Sequence, residues 1–303
     1  MGTNANLETW GKPMFRKKAE ARSRFSLWPK LGTIGLLTAK HALLIGGSLV
    51  MAFPFLWMFL GSLKLPDEIF SGGIWRLPSE WRWEHYAEAW KRAPFDRFFI
   101  NSALVSVSTV IAQLITCSMA AYAFACVNFK AKQTLFLIFI ATTMIPFEST
   151  MIPSYLVIKW LGLMNTHLAM ILPSATSVFG IFLLRQFFLT IPRDLLDAAK
   201  IDGCSHAGIL LRIVVPLSQT IAATLSLFAF IHAWNSYLWP LLVTNTTGMR
   251  TVQVGLRYMV DKELGTQWPQ MLAASTFIIL PIVLLFVFLQ KYFVRGMVQS
   301  GLK

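Results

Sequence analysis

Residues Ile191–Leu217 read IPRDLLDAAKIDGCSHAGILLRIVVPL, and an apolar run long enough to cross a bilayer lies on either side of them. Within the segment the residues spell two short helices joined by a tight turn. Pro192 suits the first turn of a helix, where its missing N–H would be unsatisfied in any case, and Asp194 complements the positive end of the helix dipole. Leu195, Leu196, Ala198 and Ala199 then form a compact apolar surface with small side chains at its centre. Asp202-Gly203 is a turn pair that stops this helix. Ser205 is placed to cap the second helix and Pro216 to close it. A stiff helical hairpin is expected.

Outward from the hairpin the chain is dominated by hydrocarbon. Of its 303 residues 55% are hydrophobic and 14% charged, and the mean hydropathy is +0.58. A soluble fold could not hide that much apolar surface. Runs that match about 30 Å of bilayer core extend from Ala42 to Leu63, Ile100 to Val127, Thr134 to Val157, Leu168 to Leu189, Ile221 to Thr244 and Met271 to Leu289. The expected fold is therefore all-α: a polytopic membrane protein with six transmembrane helices. Residues 42–290 make the transmembrane domain, 1–41 and 291–303 are tails, and the hairpin loop is residues 190–217 between the fourth and fifth spans. The first apolar run begins only near His41 and lacks a small-residue cleavage site, so it reads as an uncleaved anchor.

Loop charge sets the orientation. The first tail carries Lys12, Arg16, Lys17, Lys18, Arg22, Arg24, Lys30 and Lys40 against Glu8 and Glu20, whereas the loop from Lys64 to Phe99 is balanced. The last tail has Lys291, Arg295 and Lys303 and no acid. Both termini, and with them the hairpin, are expected on the cytoplasmic side of a bacterial-type inner membrane. Trp75, Trp81, Trp83, Trp90, Trp160, Trp234, Trp239 and Trp268 fall in or beside the outer loops, as an interfacial aromatic belt would. Ser79 is placed to cap a short helix carrying Trp83, Tyr86 and Trp90, which either packs as a loop helix or serves for docking.

Several function classes are excluded. The net charge of +13 does not imply nucleic acid, because the basic residues sit at the ends of apolar runs rather than on one solvated face. Cys117, Cys126 and Cys204 show no Cys-x-x-Cys pair, and His41, His85, His167, His206 and His232 are scattered, so neither a metal site, a cofactor nor a clustered catalytic site is expected. A phosphate-binding Gly-x-x-x-x-Gly-Lys-Ser/Thr loop is absent from the sequence. Any ATP must be hydrolysed by other subunits.

Polar groups inside the spans are functional candidates because their burial in lipid costs several kcal/mol. Counted along straight helices, Glu148 lies about 21 Å from Thr134 and Asn235 about 21 Å from Ile221. Ser174, Thr176 and Ser177 come out at a similar level. Trp234, Tyr237 and Trp239 add the aromatic faces that a sugar pathway needs. The alternative is structural: Glu148 bonds backbone freed by Pro146 or Pro153, and Asn235 joins helices.

The run Asp197-Ala198-Ala199, Asp202-Gly203, Ile213 and Pro216-Leu217 resembles the EAA loop of binding-protein-dependent ABC importer permeases. Further elements are similar to the smaller permease of maltose-like carbohydrate importers. They are Ser62-Leu63-Lys64, Pro146-Phe147-Glu148, Ile152-Pro153-x-Tyr155, Gly180 through Phe188, Trp234-Asn235, and the ending Lys291 through Gly296 with Gly301-Leu302-Lys303. The sequence departs from the loop's pattern in having Asp197 for a glutamate and Cys204 for an alanine. The resemblance implies a type I ABC importer permease fold and three partners: a homologous second permease, a cytosolic ATPase dimer and an extracytoplasmic solute-binding protein. It also implies a carbohydrate as cargo and ATPase coupling through Asp197, Ala198, Ala199, Asp202, Gly203, Ile213 and Pro216. The C-terminal tail would reach towards the ATPase dimer interface, with Gly296 and Gly301 allowing a bent path. The competing reading is an ion-coupled secondary carrier with Glu148 as its coupling acid, which would leave the hairpin without a purpose.

Overall fold

A computed structural model of the chain describes residues 31–71, 73, 76–261 and 265–300. Trp75, most of the basic first tail and the last three residues lie outside them. Two compact units meet within the first helix, at Pro54. The first is helical from Leu31, with residues 38–50 exposed. The second, from Phe55 onward, carries everything below.

The helices in order are α1 (Leu31–Ser62), α2 (Glu68–Ser71), α3 (Glu84–Arg92), α4 (Phe95–Cys126), α5 (Lys132–Ala141), α6 (Phe147–Trp160), α7 (His167–Ile171), α8 (Val178–Phe188), α9 (Arg193–Ile201), α10 (His206–Ile209), α11 (Val215–Leu217), α12 (Gln219–Trp234), α13 (Leu238–Val243), α14 (Val252–Gly255) and α15 (Trp268–Ser300). Two-residue strands β1 (Val260–Asp261) and β2 (Gly265–Thr266) pair antiparallel in the connection before α15. Three helices are long and apolar enough to cross a membrane outright, and bent helix pairs bring the spans to as many as six.

The breaks follow from local chemistry. Helix α4 contains neither Gly nor Pro and runs 32 residues without interruption. The run expected as one helix from Thr134 to Val157 is instead α5 and α6, bent by 99°. Pro146 drives its predecessor out of helical backbone, and Ile145 is extended at φ −80°, ψ 117°. The fourth span bends by 46° between Ser174 and Val178, and an 84° bend separates the hairpin from α12 at Ser218. Hydropathy averages are blind to such breaks.

Helix α4 is the central post, packing along both α8 and α12, while α15 packs on α12 and α3. Gly180 lets α8 approach closely, since a Cβ there would stand 2.8 Å from Leu225 Cδ1 and 3.1 Å from Cys117 Sγ. Helix α3 starts at Glu84, and Ser79 does not cap it, contrary to expectation: the N-cap is Trp83, without a side-chain bond. Its buried His85 and Ala89, and the contacts of Trp90 with Phe95, Phe99 and Phe277, make it a packed loop helix.

Candidate functional site

The hairpin forms as its sequence directs, with one exception. Gly203 sits at φ +80°, a left-handed conformation that glycine adopts without Cβ strain. Around it Gly203 N donates to Lys200 O at 3.0 Å and Cys204 N to Ala199 O at 2.9 Å, closing the end of α9 as a Schellman turn. Ser205 Oγ accepts from Gly208 N at 3.2 Å and so caps α10. The exception is Pro216, which does not close the second helix. Residues Leu210–Val214 widen into a π-turn in which Val215 N donates to Leu210 O, and helix resumes to Leu217. A proline has no N–H to give and its ring crowds the carbonyl four residues back; the wide turn lies just before it.

The knob is anchored by one face and open on the other. Leu196, Ala199, Ile209, Leu210 and Val214 are buried in a core shared with Cys117, Ala121 and Tyr122 of α4 and Leu184 and Phe188 of α8. Tyr122 Oη lies 3.0 Å from His206 Nδ1. Arg185 Nε donates to Phe124 O at 3.1 Å, with its guanidinium 4.0 Å over the Phe136 ring. Lys132 Nζ donates to Ala125 O and Val127 O. Two cations thus satisfy carbonyls at the C-terminal end of α4, where the helix dipole favours them. Facing outward are Leu195, Asp197, Ala198, Ile201, Asp202 and Gly203. Ile201 is 86% exposed. Asp197 is held by Lys200 at 2.7 Å, an exposed pair worth little and free to be exchanged. Ala199, expected among the docking residues, is 7% exposed and packs the knob onto its own protein. Ile213 is half-buried against the same core and Pro216 is exposed.

A second site opens where the fourth span breaks. Three α4 side chains within about one turn reach carbonyls at the break: Gln113 Nε2 donates to Ser174 O at 2.8 Å, Thr116 Oγ1 to Ala175 O at 2.8 Å, and Cys117 Sγ to Ser177 O at 3.5 Å, a carbonyl that also accepts from Ile181 N. Irregular backbone at membrane depth requires such partners. Ser177 Oγ accepts from Gly180 N at 3.2 Å and restarts the helix as α8. Beside the break lies a cavity of about 460 Å³, lined by Gln113, Ser174, Thr176, Ser177, His232 and Ser236, with Phe147, Phe179, Phe228 and Trp239 among its apolar walls.

Of the expected pathway residues, Ser174, Thr176, Ser177 and Trp239 line this cavity, whereas Glu148, Asn235, Trp234 and Tyr237 do not. Glu148 is in the first turn of α6, exposed, beyond the 99° bend, so the straight-helix depth that matched it to Asn235 does not hold. Asn235 accepts from Gln253 Nε2 at 3.1 Å. Trp234 is 2% exposed, stacks on Phe230 and donates its indole N–H to Ile278 O, which makes it a core residue. Tyr237 is exposed outside the cavity. Gln113 and His232 were not singled out from sequence. The available signal was Gln113, Thr116 and Cys117 at helical spacing within an apolar run. Among the described residues no three His, Cys, Asp or Glu side chains gather as a metal site.

Residues 113–299, more than half of the chain and including hairpin and cavity, match the model of the family described as "Binding-protein-dependent transport system inner membrane component". The chain belongs to this family. The permease is 35% identical over 268 residues to the sn-glycerol-3-phosphate transport system permease protein of Brucella abortus, covering 86% of this chain and 95% of that one. It is 34% identical over 271 residues to the arabinooligosaccharides transport system permease protein of Halalkalibacterium halodurans, covering 88% and 96%. Its fold matches, at a TM-score of 0.73 and 24% identity over 85% of this chain and 96% of the other, a chain of a bacterial ABC transporter involved in the import of the acidic polysaccharide alginate. The permease is thus a multi-pass inner-membrane component of an ABC importer, working with another permease, an ATPase and a binding protein. Membership gives no support to the ion-coupled carrier reading.

Proposed function

We propose that this permease passes a hydroxyl-rich solute of the carbohydrate type through the inner membrane, and that its hairpin docks on a cytosolic ATPase dimer whose closure it transmits. The observation that carries the coupling role is the division of α9 into two faces. Leu196 and Ala199 root it in the core, while Leu195, Asp197, Ala198 and Ile201 stand exposed on a knob stiffened by the Gly203 turn. A rigid rooted element moves the helices beneath it when its outer face is pulled. The hairpin and both termini face the cytoplasm in this reading, supported by the basic first tail. Hydroxyl-bearing cargo is the common property of the solutes for which the relatives are named. In this reading the last residues of α15 reach towards the ATPase as helix, which continues through Gly296 to Ser300; Gly301 lies outside the described residues.

The test uses the complete transporter in proteoliposomes. Ala198→Arg and Gly203→Pro are expected to leave assembly intact, abolish uptake, and release ATP hydrolysis from control by the binding protein. Parental uptake in both variants would refute the docking assignment.

A further inference from the structure

The cavity beside the broken fourth span has a chemistry of its own. Its polar lining consists of the hydrogen-bonding groups of Gln113, Ser174, Thr176, Ser177, His232 and Ser236, and among the described residues no Lys, Arg, Asp or Glu lines it. His232 stands out. It projects from α12 about 20 Å along the helix from Gln219, it is exposed, and its imidazole has no hydrogen-bond partner among the described residues. A polar ring at membrane depth is costly when it faces lipid and useful when it faces water or solute. Thr176 and Ser236 likewise bring hydroxyls with no side-chain bond among the described residues. The walls are aromatic on several sides, with Phe179 and Phe228 in edge-to-face contact at 5.7 Å and Trp239 fixed by its indole bond to Ala169 O. The volume of about 460 Å³ falls within the range of small-molecule sites, roughly 300–1,000 Å³.

We propose that this cavity is a solute subsite on this permease, selective for an uncharged, hydroxyl-bearing ring. Imidazole, amide and hydroxyl groups both donate and accept, as sugar hydroxyls do, and aromatic walls cover the apolar face of a ring. A phosphate or carboxylate would enter without a cation to meet it and lose its hydration uncompensated. The inference rests on the permease reading above and narrows it, because relatives of this chain are named for both charged and neutral cargoes.

The experiment uses the complete transporter with its own binding protein in proteoliposomes. Uptake is measured for labelled neutral oligosaccharides, including arabino-oligosaccharides, and for sn-glycerol 3-phosphate and a uronate oligosaccharide. The expected cargo is neutral. His232→Ala is expected to raise the apparent KM for that cargo about five- to ten-fold, the effect of one lost hydrogen bond, with ATPase stimulation by the binding protein kept within two-fold. His232→Gln, which keeps a donor and an acceptor, is expected to recover most of the loss. With Cys117, Cys126 and Cys204 replaced by alanine, a cysteine placed at 232 is expected to react with a water-soluble thiol reagent, more slowly while cargo is being transported. Transport of the phosphate or the uronate, an unchanged KM in His232→Ala, or an unreactive cysteine at 232 would each overturn the subsite. Those failures would leave the permease reading intact, whereas loss of ATPase stimulation in the parental complex would strike that reading instead.

Discussion

Tyr122 Oη stands 3.0 Å from His206 Nδ1, so a buried residue near the end of α4 holds the first turn of the hairpin's second helix. Tyr122→Phe removes the bond and keeps the edge-to-face contact of the two rings, whose centroids are 5.9 Å apart. A loss of about 1 kcal/mol is expected, confined to the hairpin. Amide hydrogen exchange over residues 205–210 should quicken several-fold while α4 stays protected, and fewer solute molecules should be carried per ATP. Unaltered exchange there would show that the apolar core alone sets the hairpin's position.

The hairpin was legible in advance because its signals are local. The turn at Gly203 and the cap at Ser205 depend on neighbours within four residues. Membrane residence was equally plain from composition. The bends were not, because a window that averages hydropathy over Thr134–Val157 does not register which proline breaks the helix: Ile145 leaves helical backbone ahead of Pro146, whereas Pro153 stays within α6. Depth counted along a straight helix then misplaced Glu148. The site residues suffered for a different reason: Trp234 and His232 are two residues apart on α12, and only packing against α15 decides that one is core and the other lines a cavity.

Neighbouring alanines in α9 should behave differently. Ala199 is buried against the core and Ala198 is exposed. Ala199→Leu overpacks its site at a cost of roughly 1–3 kcal/mol, so folded protein should fall. Ala198→Leu should leave protein amount unchanged and lower uptake per ATP. Quantifying assembled complex beside uptake separates the two, and equal behaviour of both variants would contradict the two-faced helix.

Gly180 tests the close approach of α8 and α12. A valine there places its Cβ 2.8 Å from Leu225 Cδ1 and 3.1 Å from Cys117 Sγ. The melting temperature of the detergent-solubilised complex should drop. Because the clash is with the far end of a flexible side chain, Leu225→Ala in the same protein should restore part of the loss. A strictly additive double mutant would mean that the strain is elsewhere.

Gln113 holds the broken span, and its replacement by leucine leaves Ser174 O without that donor. Gln113 is 5% exposed and Ser174 half-buried, and loss of the bond between them should cost about 1 kcal/mol. Gln113→Glu would retain the shape but present an acceptor to an acceptor, and it should be worse than leucine when ionised. Melting curves across the two variants decide the point; indifference to both would remove the bond from the account of the bend.

Glu148 separates retention for structure from retention for transport. It sits exposed in the first turn of α6, where a carboxylate favours the helix dipole by roughly 0.3–1 kcal/mol. If that were its whole role, Glu148→Leu would lower the melting temperature slightly and leave uptake alone. Towards lipid, however, a carboxylate costs several kcal/mol, which exceeds the dipole gain. The carboxylate therefore cannot face lipid in the working transporter, so Glu148→Leu should change the melting temperature little while uptake falls, and Glu148→Gln should change apparent solute affinity more than protein amount. A cysteine at 148 should react with a water-soluble thiol reagent, because water or a partner subunit rather than lipid must solvate the native carboxylate. A lower melting temperature with undiminished uptake in Glu148→Leu would assign the residue to the helix end alone.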